Sequence, residues 1–261
     1  MKYGFIGCGN MGSSLARALA TVTKDIAITD RSGKAKTLAA ELGFTYTDTA
    51  TIASNCDRIF LGVKPQMMAD CLAPIQSILI AKKPLLITMA AGLTTEKIAQ
   101  MAGGSLPIIR IMPNTPTAVG KGMIPYCYNN LVEEPVLADW LSDMTPCGRL
   151  DALQEDQINA ASALSGSGPA YFYLMLEALT DGAAACGLPR EKALDYAALT
   201  MEGAARMLLD TSADPAALRK AVCSPGGSTL AGIGILLERD FPSAVKDCVL
   251  AAYKRNLELG G

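Results

Sequence analysis

The sequence contains no histidine. Proton handling near neutral pH therefore cannot rest on an imidazole, the common choice for reduction of a ketone. The eight cysteines, Cys8, Cys56, Cys71, Cys127, Cys147, Cys186, Cys223 and Cys248, include no CxxC pair. With no histidine to accompany them they offer no metal site, and they read as reduced, half-buried thiols of a cytoplasmic protein. A basic run is missing too: 23 lysines and arginines face 25 acids for a formal net charge of -2, and the pI is near 5.3. That excludes the electrostatic footprint of a nucleic-acid binder or a polybasic membrane binder. No apolar stretch reaches the length of a membrane span, since the run from Ile75 to Ala81 stops at Lys82 and Lys83. Glycines break the apolar start, and no basic segment precedes it, so Met1 to Gly12 is not a secretory signal.

What is present is apolar bulk: half of the 261 residues are hydrophobic and the mean hydropathy is +0.26. Such a chain can bury a large core and still leave apolar surface for a partner subunit. Its first twelve residues read MKYGFIGCGNMG. Tyr3, Phe5 and Ile6 predict a strand, the stretch Gly7, Cys8, Gly9, Asn10, Met11 and Gly12 a tight turn, and Leu15, Ala16, Leu19 and Ala20 a helix face. In the dinucleotide fingerprint the first glycine turns the chain, the second admits a pyrophosphate, and the third lets helix and strand pack. The amides and the positive end of the helix dipole then face the phosphates.

A second strand, Asp25 to Thr29, ends at Asp30, Arg31 and Ser32, where the adenosine ribose of a cofactor is read. An acid there favours NADH; arginine and serine favour the 2'-phosphate of NADPH. The cluster of Arg31, Ser32 and Lys34 favours NADPH, with NADH possible through Asp30. A helix over Lys34 to Leu42 and a short strand near Phe44 to Tyr46 follow. Three nearly continuous apolar runs then predict strands covered on both faces: Arg58 to Val63, Leu85 to Met89, and Ile108 to Met112. They end in Lys64 and Pro65, in Ala90 and Ala91, and in Pro113 and Asn114. Ligands of a doubly wound sheet lie outside the carboxyl ends of its strands, so these turns should line one crevice with Gly7 to Gly12. Lys64 could hold an anion there, or be a surface lysine. Asn114 could donate to a ligand, or simply complete a turn. Gly122 to Tyr128 and Pro146 to Leu150, with a helix around Val136 to Met144, finish the sheet.

Near residue 155 the character changes. Strand-like runs stop, and helical patterns take over: Asp156 to Leu164, Pro169 to Cys186, Pro189 to Leu209, Pro215 to Val222, Thr229 to Glu238 and Pro242 to Leu259. The expected architecture is α/β: a Rossmann-type, doubly wound, mostly parallel sheet over 1–155, then an all-α domain over 156–261. A helical domain of this size with such apolar faces is better sharing its core, which predicts an intertwined homodimer. Two glycine-rich turns, Leu164 to Tyr171 (LSGSGPAY) and Ser224 to Leu230 (SPGGSTL), should each end where a helix starts. In the second, Gly226 and Gly227 expose amides while Ser228 and Thr229 add hydroxyls, an arrangement that suits a carboxylate.

A hydride-transfer site needs something to handle the proton on the substrate heteroatom. The 3-hydroxyacid dehydrogenase pattern would place a lysine four residues after LSGSG, where Phe172 stands. A substrate that is already a protonated imine needs less acid help. The chain resembles the pyrroline-5-carboxylate reductases over almost its whole length. The resemblance lies in the Gly7 to Gly12 fingerprint, Val63-Lys64-Pro65-Gln66, Arg110-Ile111-Met112-Pro113-Asn114-Thr115-Pro116, Leu164 to Tyr171, and the turn Ser224-Pro225-Gly226-Gly227-Ser228-Thr229. It implies NAD(P)H-dependent reduction of 1-pyrroline-5-carboxylate to L-proline. By the same resemblance Thr229 would hold the imine nitrogen, the Gly226 to Thr229 turn would bind the carboxylate, and Ser224 would support that turn. Val63, Lys64 and Pro65 with Pro113 and Asn114 would line the nicotinamide pocket. The helical domain would build a dimer, often within a ring of five dimers. Two other readings stand beside this one, a reductase of another cyclic imine and a catalytically silent dinucleotide-binding module.

Overall fold

The computed structural model describes residues 1–260. Its chain divides into two compact units, Met1–Pro169 together with the end of the chain from Ala251, and Ala170–Leu250. The first is built on an eight-stranded sheet of order β3-β2-β1-β4-β5-β6-β7-β8. The strands are β1 (Tyr3–Ile6), β2 (Ile26–Thr29), β3 (Thr45–Tyr46), β4 (Arg58–Leu61), β5 (Leu85–Thr88), β6 (Ile108–Ile111), β7 (Gly122–Tyr128) and β8 (Gly148–Ala152). The first six are parallel; β7 runs antiparallel to β6, and β8 is parallel to β7. Six strands in the order 3-2-1-4-5-6 are the dinucleotide-binding arrangement, so the expected fold class is the observed one.

The sequence dictates the layers. Strands β1, β4, β5 and β6 are buried at every residue, as their continuous apolar runs require of strands covered on both faces. Alternation sends Tyr3, Phe5, Phe60, Ile87 and Ile109 into one core, with α1 (Asn10–Leu19), α2 (Lys34–Leu42) and, further along the chain, Leu137 and Trp140. Ile6, Ile59, Leu61, Leu86 and Ile108 point the other way. There they meet α3 (Thr49–Asn55), α4 (Met68–Leu72), α5 (Gln76–Lys82) and α6 (Thr95–Met101). The helix carrying Leu137 and Trp140 is α7 (Glu134–Met144). At the amino ends of β1 and β4 a polar seal closes the first core: Tyr3 Oη donates to Asp143 at 2.5 Å, and Arg58 reaches Asp143 at 3.1 Å and also pairs with Asp139.

Beyond β8 come α8 (Ile158–Ala161), α9 (Gly168–Ala185), α10 (Arg190–Thr211), α11 (Pro215–Ala221), α12 (Ser228–Glu238) and α13 (Phe241–Gly260). One expected turn is corrected here. LSGSGPAY does not break the chain before a helix: Ser162–Gly166 is a π-helical turn that links α8 to α9. The Ser167 N–H reaches back five residues to the Ser162 carbonyl at 3.2 Å, and Ser165 Oγ donates to the Ala161 carbonyl at 2.8 Å. Its glycines are absorbed into a widened helix, as occurs where one residue too many must fit.

Candidate active site

In the first unit the carboxyl ends of β1, β2 and β4 open onto a crevice of about 700 Å³. Gly7, Cys8 and Gly9, then Asp30, Arg31 and Ser32, then Val63 and Lys64 line it, whereas Asn10, Met11, Gly12, Pro65, Ala90, Ala91, Pro113 and Asn114, expected along the same crevice, are not in its wall. Sequence reasoning missed the remaining wall, which includes Asp48, Gly62, Met67, Asp70 and Cys71. Asp48 was legible only as a helix cap, its Oδ1 accepting the Thr51 N–H at 2.7 Å. Nothing in its spacing from Gly7 told that the cap would sit on the crevice.

The glycine turn fits a dinucleotide by its own geometry. Gly7 stands at φ +98°, a conformation L side chains rarely adopt, and a Cβ on Gly12 would come within 2.5 Å of the Gly7 carbonyl oxygen. Gly9 is different: a Cβ there would meet nothing within 4 Å, so its bare backbone faces open space where a phosphate can approach. It is the N-cap of α1 and supplies no side-chain cap, which leaves the amides of Asn10, Met11 and Gly12, with the positive end of the helix, to an anion. Pro65 opens a tight turn directly after Lys64, which is exposed. The Cys8 thiol is wholly buried, and burial, reinforced by the Asp30 carboxylate, pushes it up to about 12. It is inert packing at the crevice floor.

At the ends of β5 and β6, Ala90 is buried and Ala91 and Pro113 are half-buried. The Asn114 side chain is buried and fully engaged. Its Nδ2 donates to the Ser165 carbonyl at 3.0 Å, and its Oδ1 accepts the Met123 N–H at 2.9 Å, so it clamps the π-helical turn and β7. Behind it, Arg110 is buried and donates to Asn159 Oδ1 at 2.7 Å, and burial pulls its guanidinium below the ordinary range.

In the second unit, Ser224 to Thr229 forms an exposed turn at the start of α12. Gly226 takes φ +73° with nothing within 4 Å of its missing Cβ, while a Cβ on Gly227 would strike Ser224 Oγ at 2.5 Å. The Gly227 N–H donates to the Ser224 carbonyl at 3.0 Å. Ser224 closes the turn through its backbone carbonyl. Gly227 is the N-cap and brings no side-chain cap, so the amides of Ser228 and Thr229 and both hydroxyls are left to a ligand at a helix N-terminus. Among the described residues no group of three metal-ligating side chains occurs, and no helix is long and apolar enough to cross a membrane.

A parallel sheet in this order, a glycine turn at the start of α1 and a crevice at the strand ends define a dinucleotide-binding protein of the Rossmann class. The family model described as NADP oxidoreductase, coenzyme F420-dependent, matches residues 2–92, and that of pyrroline-5-carboxylate reductase dimerisation matches residues 155–259. The pyrroline-5-carboxylate reductase of Escherichia coli is 35% identical over 99% of this chain and 98% of its own length. That of Synechocystis is 36% identical over 100% and 98%. The crystal structure of the Plasmodium falciparum enzyme with NADP bound superposes with a TM-score of 0.92 at 32% identity, covering 100% of this chain and 98% of that one. The chain belongs to the pyrroline-5-carboxylate reductase family.

Proposed function

We propose that this protein reduces 1-pyrroline-5-carboxylate to L-proline, the last step of proline biosynthesis, with NADPH as the reductant. The observation that carries the reading is the similarity to reductases of that name along the entire chain, across both the glycine crevice and the Ser224 to Thr229 turn. Residues 1–155 are assigned to dinucleotide binding, and 156–261 to dimerisation and substrate binding.

NADPH, when bound, supplies a hydride from its nicotinamide ring. The chain's own residues do the rest. Gly7, Gly9 and the first amides of α1 hold the pyrophosphate, and Asp30, Arg31 and Ser32 meet the adenosine ribose. Val63, Lys64, Pro65, Ala90, Ala91, Pro113 and Asn114 shape the nicotinamide end. The amides of Gly226 to Thr229 bind the substrate carboxylate, and Ser224 braces them. Thr229 Oγ1 orients the imine nitrogen, which takes its proton from solvent; with an iminium as substrate no histidine is needed.

The same reading makes the protein a cytoplasmic homodimer, assembled as a ring of five dimers. Helix α12 supports the dimer: it is strongly apolar, yet no residue of it is buried, with Ile235, Leu236 and Leu237 all exposed. Eight free cysteines suit a reducing compartment.

The test is loss of NADPH absorbance on addition of pyrroline-5-carboxylate, with other cyclic imines in parallel, for the wild type and Thr229→Ala. Rapid oxidation specific to pyrroline-5-carboxylate is expected. The variant should lose turnover by about tenfold to a hundredfold while its NADPH affinity holds, because one contact to the reacting group is gone. Equal losses in both would remove Thr229 from the reaction.

A further inference from the structure

Arg110 lies in the sheet between Thr88, the last residue of β5, and Cys127 of β7. A little further along its own chain β6 ends at Pro113 and Asn114. The Arg110 side chain is 1% exposed, and its two outer nitrogens go to different partners. Nη2 donates to Asn159 Oδ1 of α8 at 2.7 Å, and Nη1 lies 3.6 Å from Glu155 Oε1. Glu155, which follows β8, reaches further. Its Oε1 also accepts the Thr95 N–H at 2.7 Å, and its Oε2 accepts the Thr95 hydroxyl at 3.0 Å. Thr95 opens α6, just beyond Ala90 and Ala91. One carboxylate therefore ties the start of α6 to a guanidinium rooted in β6.

A buried ion pair is weak evidence of stability, because desolvating both ions offsets much of their attraction. What the charges add is direction, since a guanidinium fork and a carboxylate fix the angle and distance of the groups they join. Here they join two strand ends. The chain after β5 runs from Thr88, beside Arg110, to Thr95, on Glu155, so Ala90 and Ala91 are held from both sides. After β6, Asn114 is bonded to Ser165 of the π-helical turn, and α8, which leads into that turn, carries Asn159.

We propose that Arg110 and Glu155 are positioning residues for hydride transfer: through Thr95 and Asn159 they fix the turn of Ala90 and Ala91 against that of Pro113 and Asn114. The proposal rests on the reading of those two turns as the nicotinamide end. Neither side chain touches the dinucleotide or the imine in this role. Loss of the pair should therefore loosen the nicotinamide end of the cofactor and leave the adenosine end as it was.

The experiment compares the wild type with Glu155→Ala, Glu155→Gln and Arg110→Met. It reads turnover of pyrroline-5-carboxylate, the fluorescence of bound NADPH without imine, and calorimetric binding of adenosine 2',5'-bisphosphate, which lacks the nicotinamide. Glu155→Ala should lower kcat about tenfold or more, since a small misplacement of reacting groups is that costly. Its bound NADPH should emit differently from that of the wild type, while the bisphosphate keeps its affinity within about twofold. Glu155→Gln should recover part of the turnover, because its amide can still meet both Thr95 groups. Arg110→Met fills the space without a buried charge, so it should fold and still show the loss in turnover and the changed emission. Full turnover or unchanged emission in Arg110→Met would make the pair a support of the fold alone and overturn the proposal. So would a bisphosphate affinity that falls as far as turnover does. If the wild type turns over no imine, only the substrate reading fails, and the emission and bisphosphate measurements still decide. If NADPH emits alike bound and free in the wild type, the two turns are not the nicotinamide end and this proposal falls with that reading.

Discussion

Cys8, Cys56, Cys127 and Cys147 are buried in the first unit, and burial, the largest cause for each, raises their thiols to about 12, 11, 12 and 12. An unfolded thiol ionises at an ordinary value of 9.0. Between that value and the folded ones the unfolded chain binds fewer protons than the folded chain, so stability is fully present below pH 9.0 and falls as pH rises toward about 12. Chemical denaturation at stepped pH should show a midpoint constant from pH 7 to about 8.5 and declining steadily above it. Substitution of the four cysteines by alanine or serine should flatten that alkaline limb. A limb that survived the substitution unchanged would assign it to other groups. The thiols themselves were readable from their scatter and lack of histidine partners. Their burial depended on which strand and helix faces they joined.

The π-helical turn Ser162–Gly166 is held from outside its own sequence, by Asn114. Asn114→Ala leaves the Ser165 carbonyl and the Met123 N–H without their partner and should cost about 1–3 kcal/mol in urea unfolding. Amide exchange should accelerate at Ser162 to Gly166 and at Met123 more than elsewhere; a uniform change would deny the clamp. This element also marks the limit of what the sequence reveals. The strands were legible, because continuous apolar runs such as Leu85 to Thr88 admit one reading once glycines and prolines bound them. The crevice was legible from Gly7 to Lys64, because its residues all follow strands. LSGSG was not. Two glycines in five residues look like a loop, and the long-range bond from Asn114, the i+5 bond at Ser167 and the Ser165 hydroxyl on the Ala161 carbonyl hold them helical. The wall at Asp48 and Cys71 was hidden for separate reasons: Asp48 follows β3, a strand of only two residues with no apolar run to mark it, and Cys71 lies on α4, whose crossover packing leaves no periodic trace.

Two units with different burial divide the labour of stability. In the second, Phe172, Leu174, Leu199, Leu236 and Leu237 are all exposed, more apolar surface than a soluble monomer carries comfortably. Light scattering coupled to size exclusion should therefore find no monomer at micromolar protein, and the thermal midpoint should rise with concentration. Leu236→Glu should release monomers and lower that midpoint; an unchanged mass would place the interface elsewhere. The described end of α13 adds a constraint of timing. All eight strands precede the second unit in the chain, so most of the sheet can form on the ribosome. Yet the Asn159 carbonyl, beside the buried Arg110, is met at 3.1 Å by Asn256 Nδ2, which lies 97 residues further along the chain. A nascent chain holds its sheet early but lacks that partner until α13 has left the exit tunnel. Translation arrest within α13 therefore leaves a sheet already built, with the carbonyl beside the buried Arg110 still open to water.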